Sequence, residues 1–176
     1  MQKRIAFLAA LIIAFTSAAI AQMGKDRPSP AASASCDLGG GKTIETKYSS
    51  PRMKGRQIYG ELVPFGEVWR TGANEATTFV NSADVVVGGK TVPAGSYTLF
   101  TVPNKDKWTL IINKKTGEWG IPYKYESDEL GRVDMKVSTL SSPMENFTIT
   151  YDKSGSGCTM SLEWETTKAT VDIKAK

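Results

Sequence analysis

The chain has 176 residues, a net charge of +4 and no histidine. Without imidazole it can build no Ser-His-Asp triad, no Cys-His pair and no zinc or iron site resting on histidine; with only two cysteines, far apart in sequence, thiolate metal sites and copper centres are not expected either. Its 22 basic and 18 acidic residues are interspersed, a balance that favours solubility over nucleic-acid binding.

Lys3 and Arg4 precede an apolar run from Ile5 to Phe15 and small residues ending in Ala19-Ile20-Ala21, the three-part pattern of a secretory signal. Cleavage after Ala21 is expected, giving a periplasmic or secreted protein with no transmembrane segment. An uncleaved anchor is disfavoured because the run falls short of the ~20 residues of a spanning helix. A lipoprotein acylated at Cys36 is disfavoured because Ser33 stands where such signals carry a large apolar residue. Cleavage leaves about 155 residues, the size of one ordinary domain.

Residues 22–35 are Pro, Ser, Ala and isolated charges, too poor in apolar groups to fold alone. They are expected to be a flexible linker, with the folded domain spanning 36–176. Strands are expected over Lys42–Tyr48, Ala76–Asn81 and Asp84–Val87, the last turning through Gly88-Gly89 into Lys90–Val92. The intervening Ser49–Gly72 is broken by Pro51, Gly55, Gly60, Pro64 and Gly66. It reads as loops carrying Ile58, Tyr59, Leu62, Val63, Val68 and Trp69 into a core. Pro93-Ala94-Gly95 is a tight turn leading to a hairpin of Ser96–Val102 with Lys107–Asn113. After a long connection, Lys114–Gly131, four more strands are expected at Arg132–Thr139, Asn146–Asp152, Thr159–Glu165 and Thr170–Lys174. The sum is an all-β fold, one antiparallel β-sandwich or barrel-like domain of about eight or nine strands with little helix. Trp108, Tyr97, Phe100 and Trp164 fall on strands as core residues.

Cys36 and Cys158 would enter an oxidising compartment, where an even pair points to a disulfide; two unpaired thiols are the other reading. No phosphate-cradling glycine loop opens a helix, and the dispersed acids show no calcium-loop pattern, so no cofactor is expected.

One polar constellation stands out. In Trp69-Arg70-Thr71-Gly72-Ala73-Asn74-Glu75 a guanidinium, an amide and a carboxylate flank a Gly-Ala break, a set suited to gripping a small polar or anionic ligand. Arg52, Lys54 and Arg56 alternate upstream. In an extended segment they would share one anion-attracting face. Trp119, in the long loop, is a candidate stacking platform. The structural reading of the same residues is equally concrete: Arg70 pairs with Glu67 or Glu75, Asn74 caps a turn, and the basic residues solvate an edge.

The runs Tyr48-Ser49-Ser50-Pro51, Leu62 through Thr77 including Trp69-Arg70-Thr71-Gly72-Ala73-Asn74-Glu75-Ala76, Pro93 through Thr101, Trp119-Gly120 and Leu162-Glu163-Trp164-Glu165 resemble the bacterial exported family catalogued as domain of unknown function 2911. The resemblance covers nearly the whole chain after the linker. It implies an exported single domain and carries no activity with it. Three functions remain open on the sequence: a non-catalytic binding or envelope-associated domain with its site around Arg70–Glu75, a glycosidase-like hydrolase using Glu75 or Glu67, and a structural module whose partner is an envelope protein.

Overall fold

The structure, a computed structural model, describes residues 28–176. The expected signal, 1–21, and the first part of the expected linker lie outside the described residues. Nine antiparallel strands form one open sheet: β1 (Ala31–Gly39), β2 (Lys42–Ser49), β3 (Thr77–Asn81), β4 (Val85–Val87), β5 (Lys90–Val92), β6 (Gly95–Val102), β7 (Lys107–Asn113), β8 (Glu129–Ser154) and β9 (Gly157–Ala175). Their spatial order is β1-β2-β3-β6-β7-β8-β9-β4-β5. Among the described residues helix is confined to one 3-10 turn at Glu126–Asp128.

The inward face follows the period of two that strands impose. Ile44 and Tyr48 of β2, Phe79 of β3, Tyr97 and Leu99 of β6, and Trp108, Leu110 and Ile112 of β7 all enter one buried cluster. At its centre Trp69, Trp164, Phe147 and Tyr59 pack ring on ring, with Trp69 and Trp164 stacked at 6.0 Å and the others edge-on. Leu62, expected in this core, is instead 45% exposed.

Four expected late strands are two long bent ones. Between the pairs Thr139↔Thr167 and Thr148↔Glu163 the register slips twice. The Ser141-Ser142-Pro143 stretch is thus an enlarged bulge in a continuous strand, and bulges of this kind turn corners between layers. The distal half of the β8–β9 hairpin bends back over β2: Tyr48 Oη accepts the Ile149 N–H at 3.0 Å, Ser50 Oγ donates to the Phe147 carbonyl at 2.6 Å, and the Thr46 and Tyr151 hydroxyls share a 2.6 Å hydrogen bond. The sheet thereby folds on itself as a sandwich-like body. Cys36 on β1 and Cys158 on β9, strands that do not pair, are joined by a disulfide.

β1 starts at Ala31, five residues before Cys36, inside the segment expected to be linker. Its Ala and Ser side chains alternate exposed and half-buried. Backbone pairing with β2, from Ala31↔Ser49 to Gly39↔Lys42, supplies what its small apolar area does not.

A second, smaller cluster lies on the opposite face of β6 and β7. Phe100 and Ile111 point outward and are buried by Val68, Val102, Tyr123 and Tyr125, with Phe100 4.8 Å edge-on to Tyr123. The long loop between β7 and β8 is fixed here. The buried Asn113 amide donates to the Tyr125 carbonyl and the Tyr123 hydroxyl, Tyr123 donates to Glu129 at 2.7 Å, and Glu129 takes a two-pronged bond from Arg132, 2.8 Å on each side.

Candidate functional site

The constellation Trp69–Glu75 precedes β3 in a loop whose backbone is held tightly. Trp69 pairs with Thr101 in both directions, at 2.7 and 2.9 Å, and its indole N–H donates to the Gly72 carbonyl at 3.1 Å. Thr71 is fully buried at φ 58, a conformation uncommon for a β-branched residue. Its carbonyl accepts the Thr77 hydroxyl at 2.6 Å, and its own hydroxyl meets that of Thr101 at 3.1 Å. Gly72 passes so close to β2 that a Cβ would lie 2.9 Å from the Ser49 carbonyl. These contacts turn Arg70 outward from a rigid base.

Arg70 is half-buried, lies 5.2 Å over the Trp119 ring and donates through Nη1 to the Trp119 carbonyl at 3.4 Å. Its pKa is lowered from the ordinary arginine value by burial, an effect that the nearby Glu75 carboxylate opposes. Trp119 is held in place by its neighbours. The Glu118 carbonyl accepts the Ala76 N–H at 3.0 Å, and Gly120, at φ +92, has only 3.0 to 3.1 Å between an added Cβ and Ala76, Arg70 and Phe100.

The basic stretch does not form the extended face expected of it. Lys54 and Gly55 both have positive φ, 50 and 69, and turn the chain sharply. Arg56 consequently folds back, donating from Nε to the Met53 carbonyl at 3.0 Å and from Nη2 to the Arg52 carbonyl at 2.7 Å. Arg52 braces this turn by donating to the Ser50 carbonyl and hydroxyl, and the Lys54 N–H donates to the Glu145 carboxylate. Lys54 itself is exposed.

Arg56 and Arg70 meet across a cleft of about 260 Å³, lined by Ser29, Pro51, Arg56, Leu62, Val63, Trp69, Arg70, Gly72, Ala73, Ile121 and Trp164. Of the sequence candidates, these two arginines line it and Trp119 stands beside it on Arg70. Asn74 acts one step away: at φ 57 it donates its amide to the carbonyl of Ser29 at 3.1 Å, fixing one wall. Glu75 is exposed and acts on Arg70 electrostatically. Neither Glu75 nor Glu67 lines the cleft.

Sequence reasoning missed Leu62 and Ile121, 45% and 47% exposed at the cleft. Their signal was faint: each is an apolar residue in a Pro- and Gly-punctuated loop, where no periodicity marks its direction. Trp69 and Trp164 were read as core and are core, yet they also line the cleft.

Among the described residues no cluster of three or more His, Cys, Asp or Glu could hold a metal, and no helix is long and apolar enough to cross a membrane. No curated protein and no solved structure matches the chain. One family model does, over residues 29–173, and the chain belongs to the family it defines, described as Protein of unknown function (DUF2911).

Proposed function

We propose that this chain is an exported, non-catalytic binding domain whose cleft holds a small anion between Arg56 and Arg70. The observation carrying this reading is the lining itself: two guanidinium groups and, among the described residues, no carboxylate. The glycosidase-like alternative needs a pair of carboxyl groups flanking the scissile bond, and neither Glu75 nor Glu67 lines the cleft, so the lining favours anion recognition over that chemistry. Both arginines are pre-oriented, Arg56 by two backbone carbonyls and Arg70 by Trp119. Less side-chain freedom is then lost when a ligand arrives. Export rests on the Lys3-Arg4 signal pattern; the disulfide is compatible with an oxidising compartment.

The test is a thermal-shift screen of acetate, phosphate, sulfate and larger carboxylates against the protein and its Arg56→Ala and Arg70→Ala variants. At least one anion should raise the unfolding midpoint of the parent, and either substitution should abolish that rise while leaving the unliganded midpoint within a few degrees. Equal stabilisation of parent and both variants would refute the assignment.

A further inference from the structure

The cleft's chemistry narrows the ligand further, on the assumption that it is the anion site proposed above. Three features of the lining bear on class. First, side-chain hydrogen-bond acceptors are scarce: among the described lining residues only Ser29 carries one. Sugars and polyols present many hydroxyl donors, which need carboxylates and amides opposite them; this cleft does not provide them.

Second, apolar surface is concentrated at its mouth. Among the described residues five large apolar side chains are exposed, and of these Leu62 and Ile121 line the cleft while Trp119 flanks it on Arg70. Trp69 and Trp164, stacked on each other, line it as well. Exposed apolar groups gathered around a cationic pocket suit a ligand that is itself amphiphilic.

Third, the available donors match one planar group. Among the described residues Arg70 makes one side-chain hydrogen bond, from Nη1 to the Trp119 carbonyl, and the Glu75 carboxylate acts on it through space; this leaves the Nε and Nη2 edge, the fork that fits a carboxylate in two parallel bonds. Arg56 spends Nε and Nη2 on backbone carbonyls and keeps its Nη1 amino group. A volume of about 260 Å³ corresponds to roughly nine water-sized units at ~30 Å³ each.

We infer that the cleft takes an apolar monocarboxylate, with its carboxylate on the Arg70 fork and Arg56 and a branched aliphatic or aromatic body of modest size against Leu62, Ile121 and the two lining tryptophans. Two sources share that chemistry: a free carboxylic acid, or the C-terminal residue of a peptide ending in an apolar side chain.

Calorimetric titration of the disulfide-bonded protein, with tryptophan fluorescence as a second readout, separates the alternatives. The probes are acetate, phenylacetate, glucuronate, inorganic phosphate, and Gly-Gly-Leu with a free or amidated C-terminus. Phenylacetate or the free peptide should bind more than tenfold tighter than acetate, with phosphate and glucuronate no tighter than acetate. Arg70→Lys, which keeps the charge and loses the fork, should weaken the best probe at least tenfold. Leu62→Ser combined with Ile121→Ser should bring phenylacetate down toward acetate. Tighter binding of the free peptide, lost on amidation, identifies the peptide source; tighter phenylacetate identifies the free acid. Arg70-dependent binding led by phosphate or glucuronate would overturn the apolar-monocarboxylate class and leave the anion site standing. Absence of Arg70-dependent binding by every probe would overturn both.

Discussion

Replacing Tyr59 with Phe removes a single oxygen from the middle of the aromatic cluster. The hydroxyl is buried and makes no hydrogen bond, while the ring sits edge-on to Trp108 at 4.9 Å, to Trp69 at 6.2 Å and to Trp164 at 6.3 Å. Those ring contacts survive the substitution. In the unfolded chain the hydroxyl is hydrated; in the native state it has surrendered that hydration without compensation, at a cost of about 1–3 kcal/mol. Burial, reinforced by the Glu165 carboxylate, also pushes its pKa well above the ordinary tyrosine value. It is therefore a neutral, unsatisfied group at any ordinary pH. Tyr59→Phe should stabilise the fold by about 1–2 kcal/mol and raise the unfolding midpoint by roughly 3–6 °C. Urea unfolding followed by tryptophan fluorescence, with the slope unchanged between the two proteins, measures it. A loss of stability greater than about 0.5 kcal/mol, within the range of a typical net hydrogen bond, would show that the hydroxyl has a partner in solution and would refute the reasoning.

Replacing Cys36 and Cys158 together with Ala frees a loop spanning a sequence separation of 122 and should cost about 5 kcal/mol in the chain-entropy account; urea unfolding of the variant should match that of the reduced parent, and a loss below about 2 kcal/mol would contradict it. Gly120→Ala drives a Cβ to 3.0 Å from Ala76 and 3.1 Å from Phe100 at φ +92, so a loss of about 1–3 kcal/mol is expected from overpacking and backbone strain, together with weaker anion binding as Arg70 is displaced. The Glu129 carboxyl is held below its ordinary value of 4.5 by the hydrogen bonds from Arg132 and Tyr123, against the opposing pull of burial. Its contribution to stability is therefore complete above that value and lost as pH falls through the lower folded one. Glu129→Gln should flatten this part of the stability profile between pH 5 and the acid limit, as read by unfolding at stepped pH; an unchanged slope would rule the pair out as a source of acid lability.

The middle of the fold was readable because its turns are chemically explicit. Gly88-Gly89 and Pro93-Ala94-Gly95 bracket strands with clean alternation, and β5 and β7 fall where expected. The late strands were not, because Ser141-Ser142-Pro143 has the composition of a turn and serves as a bulge, a difference set by the layer that β8 must cross into. β1 was missed for the opposite reason: Ala and Ser offer too little contrast between faces to show a period. At the cleft, side-chain chemistry points to Arg70, Asn74, Glu75, Arg52, Lys54, Arg56 and Trp119; of these Arg70 and Arg56 are on the lining and Trp119 lies against Arg70. The supposed basic face failed at Lys54, whose positive φ is a backbone choice that the lysine side chain does not announce, although the following glycine hints at it.

The position of the disulfide bears on how copies of this protein behave toward one another. Among the described residues β1 is an outermost strand, composed mainly of small residues and gripping its one neighbour there, β2, through the backbone. Such a strand is the natural candidate to detach and insert into a second molecule. Because Cys36 is bonded to Cys158 on a strand it does not pair with, the disulfide tethers β1 to its own chain and opposes its exchange between molecules. The opposite outermost strand, β5, is only three residues long, includes Lys90 and runs into Pro93, features that give a visiting strand little to pair with. Each free edge of the open sheet is thus guarded by its own means, and only the guard on β1 answers to the redox state of the surroundings.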